Sequence, residues 1–247
     1  MMQSSLAQIL DKTLPAYSSD KLYYFDEEIS LNWYSKRIVD KFPSGVSVLD
    51  LGLGHGITAK VFSKHFADYT ILEGSQEIIN KFQTEFPENT ANIINTFFED
   101  FHTDKRYDLI IMGFILEHVK DPVQIMNYYK KFLKQTSRMV LSIPNAQAMN
   151  RRLGHYMGLL NDVTELSPYD KELGHLRYYT VDTFKQDIKE AGLKVKDMEG
   201  IYLKPFTTKQ MISLNFDPKV LDSLCMLGVE YPELCLGIMA ECEIKIQ

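Results

Sequence analysis

At 247 residues, with 27 basic against 33 acidic side chains, the chain is long enough to bury a full α/β core, and its mildly acidic balance argues against a dedicated nucleic-acid binder, whose mark is a basic stripe. No run of eighteen apolar residues is present to span a membrane, and the N-terminus lacks the basic start and long apolar block of a signal peptide. Cys225, Cys235 and Cys242 have no CxxC spacing and read as reduced thiols, so a cytoplasmic location is expected rather than a disulfide frame or a zinc site.

In chain order, residues 3–14 fit a short helix and residues 26–42 a better one, with Ile29, Trp33, Ile38 and Phe42 near helical spacing and Asp26, Glu27 and Glu28 in its first turn. Pro43 and Gly45 then break the chain. Strands and helices alternate from there: strand 46–51, helix 57–66, strand 69–73, helix 75–86, strands 91–97 and 107–114, helix 121–134, strand 138–144. Near-continuous apolar strands between amphipathic helices predict a parallel sheet covered on both faces. Asp121-Pro122 is a helix start, with aspartate as N-cap and proline at the first helical position. Residues 145–179 are too long for a simple connection and too irregular for one helix, and a long insertion beyond the carboxyl end of a strand is commonly functional. A helix at 181–191, a strand at 193–204, a partly helical excursion at 207–230 and a last strand at 233–246 follow. No long helix separates the final two strands in α/β rhythm, so they are expected to pair antiparallel.

The first strand runs through Asp50 into Gly52, Gly54 and Gly56, in VLDLGLGHG. Glycines there let the backbone turn tightly and approach a ligand, with helix N–H groups pointing at it. A dinucleotide turn reads G-x-G-x-x-G/A. Here Ile57 takes the third place, so that pattern fails, and no Gly-Lys-Ser/Thr follows to make a phosphate loop. Glu73 ends the next strand, where a carboxylate suits the two hydroxyls of an adenosine ribose, a group shared by dinucleotides and S-adenosylmethionine.

This ordered set resembles the class I S-adenosylmethionine-dependent methyltransferases. VLDLGLGHG is similar to their first motif and ILEGS to the second. NTFFEDF, YDLIIMGFILEHVKDP, LSIPN and HLRYYT resemble the small-molecule branch that includes ubiquinone-biosynthesis O-methyltransferases and sugar or natural-product enzymes. The resemblance spans roughly residues 45–200. It implies a doubly wound, mostly parallel seven-stranded α/β sheet of the Rossmann-like kind, the last strand antiparallel. It also implies a helical cap over 1–44 and a methyltransferase domain over 45–247 with lid segments at 145–179 and 207–230. The implied cofactor is S-adenosylmethionine, leaving as S-adenosylhomocysteine. Carried over by position, Gly52 and Gly54, with Gly56 supporting the turn, face its methionine part, and Asp50 orients that loop and the amino group. Glu73, with Gly74 and Ser75 beside it, takes the ribose, and Phe98 and Glu99 flank the adenine. Gly113 and Phe114 complete the set at the end of the fourth strand. Relatives often carry an acid where this chain has Phe97 and Phe98, so the adenine contact falls to backbone or to Glu99. FFEDF also reads as core aromatics beside a solvated acid pair.

Methyl transfer to a hydroxyl needs alignment and a base for the proton. His118, just past the fourth strand, and His175, in the insertion, are the catalytic candidates. His65 and His102 read as structural. Substrate-binding candidates are Tyr23 and Tyr24 near the N-terminus and His155, Arg151, Arg152, Arg177 and Tyr178 in the insertion, the arginines suited to an anionic acceptor. Tyr17, Phe25 and Trp33 extend the aromatic N-terminal segment. Relatives hold a divalent ion with E-x-x-E-H. This chain reads Phe114 in place of the first acid, leaving Glu117 and His118, too few donors for a hard cation, so no metal is expected. The expected partner is a small-molecule acceptor, with no nucleic acid and no membrane span, and a homodimer left open. The rival readings are an NAD(P)-dependent oxidoreductase, against which Ile57 speaks, and a non-catalytic S-adenosylmethionine binder.

Overall fold

The computed structural model describes residue 18 and residues 20–245, so the helix expected at 3–14 and Tyr17 lie outside the described residues. The first described helix, α1 (Tyr24–Lys41), precedes an alternation of β1 (Ser47–Leu51), α2 (Ile57–His65), β2 (Asp68–Glu73), α3 (Gln76–Glu85), β3 (Asn92–Asn95), β4 (Tyr107–Gly113), α4 (Pro122–Lys130) and β5 (Leu133–Pro144). The insertion holds α5 (Met149–Tyr156) and α6 (Pro168–Glu172). Then come α7 (Val181–Glu190), β6 (Leu193–Ile201), α8 (Thr208–Ser213), α9 (Pro218–Gly228) and β7 (Gly237–Ile244).

The seven strands lie in the order β3-β2-β1-β4-β5-β7-β6. Strands β1 to β5 pair parallel, and β7 is antiparallel to both β5 and β6, as the closing rhythm of the sequence predicts. All five residues of β1 are buried, because helices cover both faces. One face packs Tyr129, Phe132, Phe184 and Ile188; the other packs Tyr34, Ile38, Phe62, Ile79 and Cys225. Asp121 caps α4 by accepting from the Gln124 N–H at 2.8 Å, with Pro122 at the helix start.

Several strands are shorter than the sequence reading, with β6 ending at Ile201 and β7 beginning at Gly237 after a turn at Pro232–Leu234, and one junction is placed differently. Helix α4 stops at Lys130, and β5 begins at Leu133, opposite Tyr107, before a register shift that brings Arg138 opposite Leu109. Lys134 to Thr136 carry no apolar side chain for a helix to bury, and pairing with β4 satisfies the local backbone instead. Ser137 seals the shift by donating to the Tyr107 carbonyl at 2.7 Å.

Helix α1 is pinned along β6. Arg37 donates through Nε and Nη2 to the two carboxylate oxygens of Glu199 at 2.7 and 2.8 Å, and Lys41 pairs with Asp197 and Glu199. Two-pronged guanidinium–carboxylate contacts fix orientation as well as distance. Burial pushes all three cysteine thiols up to about 12, which keeps them protonated and unreactive. Among the described residues no helix is long and apolar enough to cross a membrane.

Candidate active site

The carboxyl ends of β1, β2, β4 and β5 meet at one edge of the sheet, where α/β sheets take their ligands. The chain leaves β1 through Gly52, Gly54 and Gly56 with φ of 86°, 50° and 73°, a left-handed path that side chains disfavour. Space is closed too: a Cβ on Gly52 would stand 2.7 Å from Ile115 Cδ1, and one on Gly56 would stand 2.5 Å from Phe82 Cδ2. No side chain caps α2, so its first N–H groups are left for the turn or a ligand.

Glu73 is buried and braces this turn. Its Oε2 accepts from the Leu53 N–H at 3.0 Å and its Oε1 from the Ser75 N–H at 2.8 Å. A carboxylate has lone pairs beyond these two bonds, so a ribose diol can share it. Past Gly74, the Ser75 hydroxyl caps α3 by accepting from the Ile78 N–H. The Phe98 ring borders Gly52 at 3.9 Å from the position of its Cβ, while Glu99 is exposed. Asp50 lies below the turn and accepts from the Tyr69 hydroxyl at 2.7 Å; burial pushes its carboxyl up to about 7. Gly113 ends β4 where a Cβ would strike the Tyr34 hydroxyl at 2.5 Å, and Phe114, at φ 58°, turns its ring against Tyr34.

Beyond β4 the structure brings both catalytic candidates together, with His118 and His175 ring centroids 4.8 Å apart. Burial, reinforced by the His175 charge, drives His118 down to about 3, so it is a neutral imidazole and a weak base near neutral pH. His175 Nδ1 stands 3.3 Å from Asp170 Oδ1. Asp170 opens α6 in a capping box with Ser167, and the Tyr178 hydroxyl donates to its Oδ1 at 2.9 Å. Burial alone would raise Asp170, yet the adjacent His175 and the hydrogen bonds from Ser167 hold it down to about 2. It is therefore a fixed anion beside the imidazole. Glu117, buried, is pushed up to about 7 by burial, and its Oε2 has no hydrogen-bond partner.

Glu117, His118 and His175 place one donor atom each within 4.8 Å of one another. The sequence alone counts two donors here; the insertion adds the third. One carboxylate and two imidazoles suit a borderline transition ion better than an oxygen-seeking cation, and the orphan Glu117 oxygen is free to serve.

The substrate-binding candidates divide. Tyr23 stacks on Tyr169 with centroids 4.5 Å apart, and Tyr24 packs edge-on to His55. The Arg151 guanidinium lies 4.2 Å over the Tyr178 ring and donates to the Val163 and Glu165 carbonyls. Arg152 donates to the Gln147 carbonyl, and Arg177 to those of Leu116 and Lys120, bracing the loop after β4. These three cations thus hold backbone in place, and His155 is exposed beside the Leu160 carbonyl. His65 and His102 have structural partners, the Phe42 carbonyl and the Tyr128 hydroxyl.

Several site residues escape the sequence reading. His55, inside the glycine turn, has Nε2 3.0 Å from Glu27 Oε2, and the Tyr169 hydroxyl donates to Glu27 Oε1 at 2.6 Å. Lys204 donates to Asp26 at 2.6 Å. A histidine between two glycines of a ligand turn is the one signal that pointed here. The acids and Lys204 carry no local mark.

Known proteins share this fold. A methyltransferase-domain family model matches residues 26–197. A ubiquinone biosynthesis O-methyltransferase of Acinetobacter baylyi is 26% identical over 200 residues, covering 76% of this chain and 79% of that protein. Among solved structures, magnesium protoporphyrin IX methyltransferase ChlM of Synechocystis with bound SAH superposes with a TM-score of 0.60 at 13% identity, over 94% of this chain and 92% of its own. Plantazolicin methyltransferase BpumL, in complex with a triazolic desmethylPZN analog and SAH, gives 0.58 at 20% identity, over 98% and 95%. The chain belongs to the methyltransferase-domain family and is a class I S-adenosylmethionine-dependent methyltransferase.

Proposed function

We propose that the protein moves a methyl group from S-adenosylmethionine to a hydroxyl oxygen of a small molecule. The observation that carries this reading is the Asp170–His175 pair beside the end of β4, facing His118 and Glu117. The bound donor supplies a methyl on a positively charged sulfur, and S-adenosylhomocysteine leaves. The chain supplies the rest. The glycine turn and the uncapped start of α2 receive the methionine part, Glu73 the ribose, and the Phe98 ring the adenine. The Asp50 carboxyl lies below the turn, within reach of the amino end. Gly113 and Phe114 border the reacting centre at the end of β4, with Tyr34 packed behind them. Holding donor and acceptor in line contributes roughly 7–11 kcal/mol in well-oriented reactions.

His175, held by Asp170, takes the acceptor proton, and a base so placed adds on the order of 10²–10⁴-fold. The neutral His118 packs against it. Were a divalent ion held by Glu117, His118 and His175, it would supply charge to ionise the hydroxyl in place of that base. Tyr23, Tyr24, His155, Arg151, Arg152 and Tyr178 shape the acceptor side, with Arg177 setting the loop they face. Residues 20–44 act as a cap, and segments 145–179 and 207–230 as lids over the domain from residue 45. A cytoplasmic location and the absence of a nucleic-acid partner fit the composition, and a homodimer is compatible with it.

The nicotinamide reading draws no support from the family match. In a thermal-shift panel S-adenosylhomocysteine is expected to raise the melting temperature and NAD to leave it unchanged; stabilisation by NAD alone overturns the proposal. Incubation of a metabolite extract with trideuteromethyl-labelled donor then identifies the acceptor atom by mass spectrometry. A label found only on nitrogen or carbon removes the hydroxyl.

A further inference from the structure

We propose that Asp26, Asn150 and Tyr202, with Ser30, form a subsite for a neutral acceptor rich in hydroxyl groups, sugar-like in its hydrogen bonding, rather than for a flat phenol. This names the substrate class of the site above and rests on that reading.

Four shielded polar atoms define the patch. Asp26 Oδ1, Asn150 Oδ1, the Tyr202 hydroxyl and Ser30 Oγ have no hydrogen-bond partner. Buried polar atoms are nearly always paired, and each one left unpaired costs folding free energy. Several such atoms on neighbouring elements mark a surface completed by something other than the chain.

Lys204 gathers them. Its ammonium donates to Asp26 Oδ2 at 2.6 Å, and its carbonyl accepts from the Asn150 N–H at 3.2 Å. Thr208 donates its hydroxyl to the same Asp26 oxygen at 2.5 Å. Tyr202 lies two residues before Lys204, close enough for the Asp26 charge to raise its phenol further, after burial has raised it most. Ser30 follows Asp26 by one helical turn on the same face of α1. Asp26 is 5% exposed and Tyr202 fully buried, so these side chains are held rather than swept through solvent.

The pairing also selects the ligand. One Asp26 oxygen is committed to Lys204 and Thr208, and the other is turned away from both. Lys204 neutralises the acid, so an ammonium ligand would meet a cation as well as a carboxylate. The two unpaired Oδ1 atoms only accept, and the two hydroxyls both donate and accept. A group matching that set carries donors and acceptors together without net charge, which describes a run of hydroxyls.

Two neighbours of the patch tie its elements to the insertion that carries His175. Arg151, next to Asn150, stacks on Tyr178, which donates to Asp170, the partner of His175. Glu27, next to Asp26, accepts from Tyr169, the residue before Asp170.

The test uses the full-length protein saturated with S-adenosylhomocysteine and saturation-transfer NMR with four probes: methyl α-D-glucopyranoside, myo-inositol, catechol and ethanolamine. The polyols are expected to receive saturation, and Asn150→Ala and Asp26→Asn to weaken it at least fivefold. Asn150→Ala and Ser30→Ala remove side-chain atoms that bond nothing in the chain, so their melting temperatures are expected to equal or exceed that of wild type. Affinity for S-adenosylhomocysteine is expected to stay within twofold. Binding of catechol or ethanolamine without either polyol overturns the assignment, as does polyol binding untouched by both variants. A parallel fall in S-adenosylhomocysteine affinity overturns it too, because the patch would then belong to the donor. Wild-type protein that fails to bind S-adenosylhomocysteine at all refutes the methyltransferase reading itself, an outcome separate from failure of the subsite.

Discussion

Tyr169 donates its hydroxyl to Glu27 at 2.6 Å, across 142 positions of sequence. The other oxygen of Glu27 stands 3.0 Å from His55 in the glycine turn. One carboxylate therefore joins the insertion, α1 and the cofactor loop, and the Tyr23–Tyr169 stack reinforces the join. Tyr169→Phe keeps the stack and removes the bond, a loss of about 0.5–1.5 kcal/mol for a typical pair and more to a charged acceptor. The expected result is S-adenosylhomocysteine dissociation faster by about 3–10-fold in stopped-flow fluorescence. An unchanged off-rate would mean that the insertion closes without this bond.

Gly52→Ala forces a Cβ to within 2.7 Å of Ile115 at a φ of 86°. Strain of about 1–3 kcal/mol is expected, with S-adenosylhomocysteine binding weakened at least tenfold by calorimetry. Glu73→Ala strips the acceptor from the Leu53 and Ser75 N–H groups and is expected to do the same. Binding within twofold of wild type in both variants would falsify the placement of the donor at this turn.

Asp50 makes stability depend on pH. Its folded-state pKa of about 7 lies above the 3.8 of a free carboxyl, so the folded chain keeps a proton that the unfolded chain releases. That contribution is full below pH 3.8 and drains away as pH rises through 7. Asp50→Asn cannot ionise and still accepts from Tyr69. Its melting temperature relative to wild type is expected to climb between pH 4 and pH 8 by several degrees, as about 1–2 kcal/mol would produce. A pH-independent difference in differential scanning calorimetry rejects a buried, proton-holding Asp50.

His175→Ala is expected to lower kcat by about 10²–10⁴-fold and Asp170→Asn by less, since Asp170 only orients the ring. His118→Ala is expected to keep measurable turnover. Dialysis against a chelator is expected to leave turnover in place. Loss that zinc or manganese restores would recast Glu117, His118 and His175 as ligands.

The sheet was legible because its signals are local. Apolar runs such as 107–113 and the Asp121-Pro122 start declare themselves within a few residues, and the three glycines carry their own backbone requirement. The end of α4 differs from the sequence reading because Lys131 and Phe132 form a turn and Leu133 and Lys134 already belong to a bulged strand. The polar wall was illegible for a different reason. Asp26 and Lys204 meet across 178 positions, and nothing near either one announces the other. Arg177 looked like an anion grip because its partners are carbonyls, which every residue possesses.

Strand β7 separates β5 from β6, and among the described residues β6 has no other strand beside it. The sheet is thus closed by a segment made after both of the strands it is wedged between. Until residues 237–244 arrive, β6 has no strand beside it among the described residues and is tied to α1 through Arg37 and Lys41. The cofactor half, β1 to β4, can organise early in synthesis, whereas the acceptor wall waits for β7. Protein shortened before residue 237 would keep its donor cradle and lose its choice of acceptor.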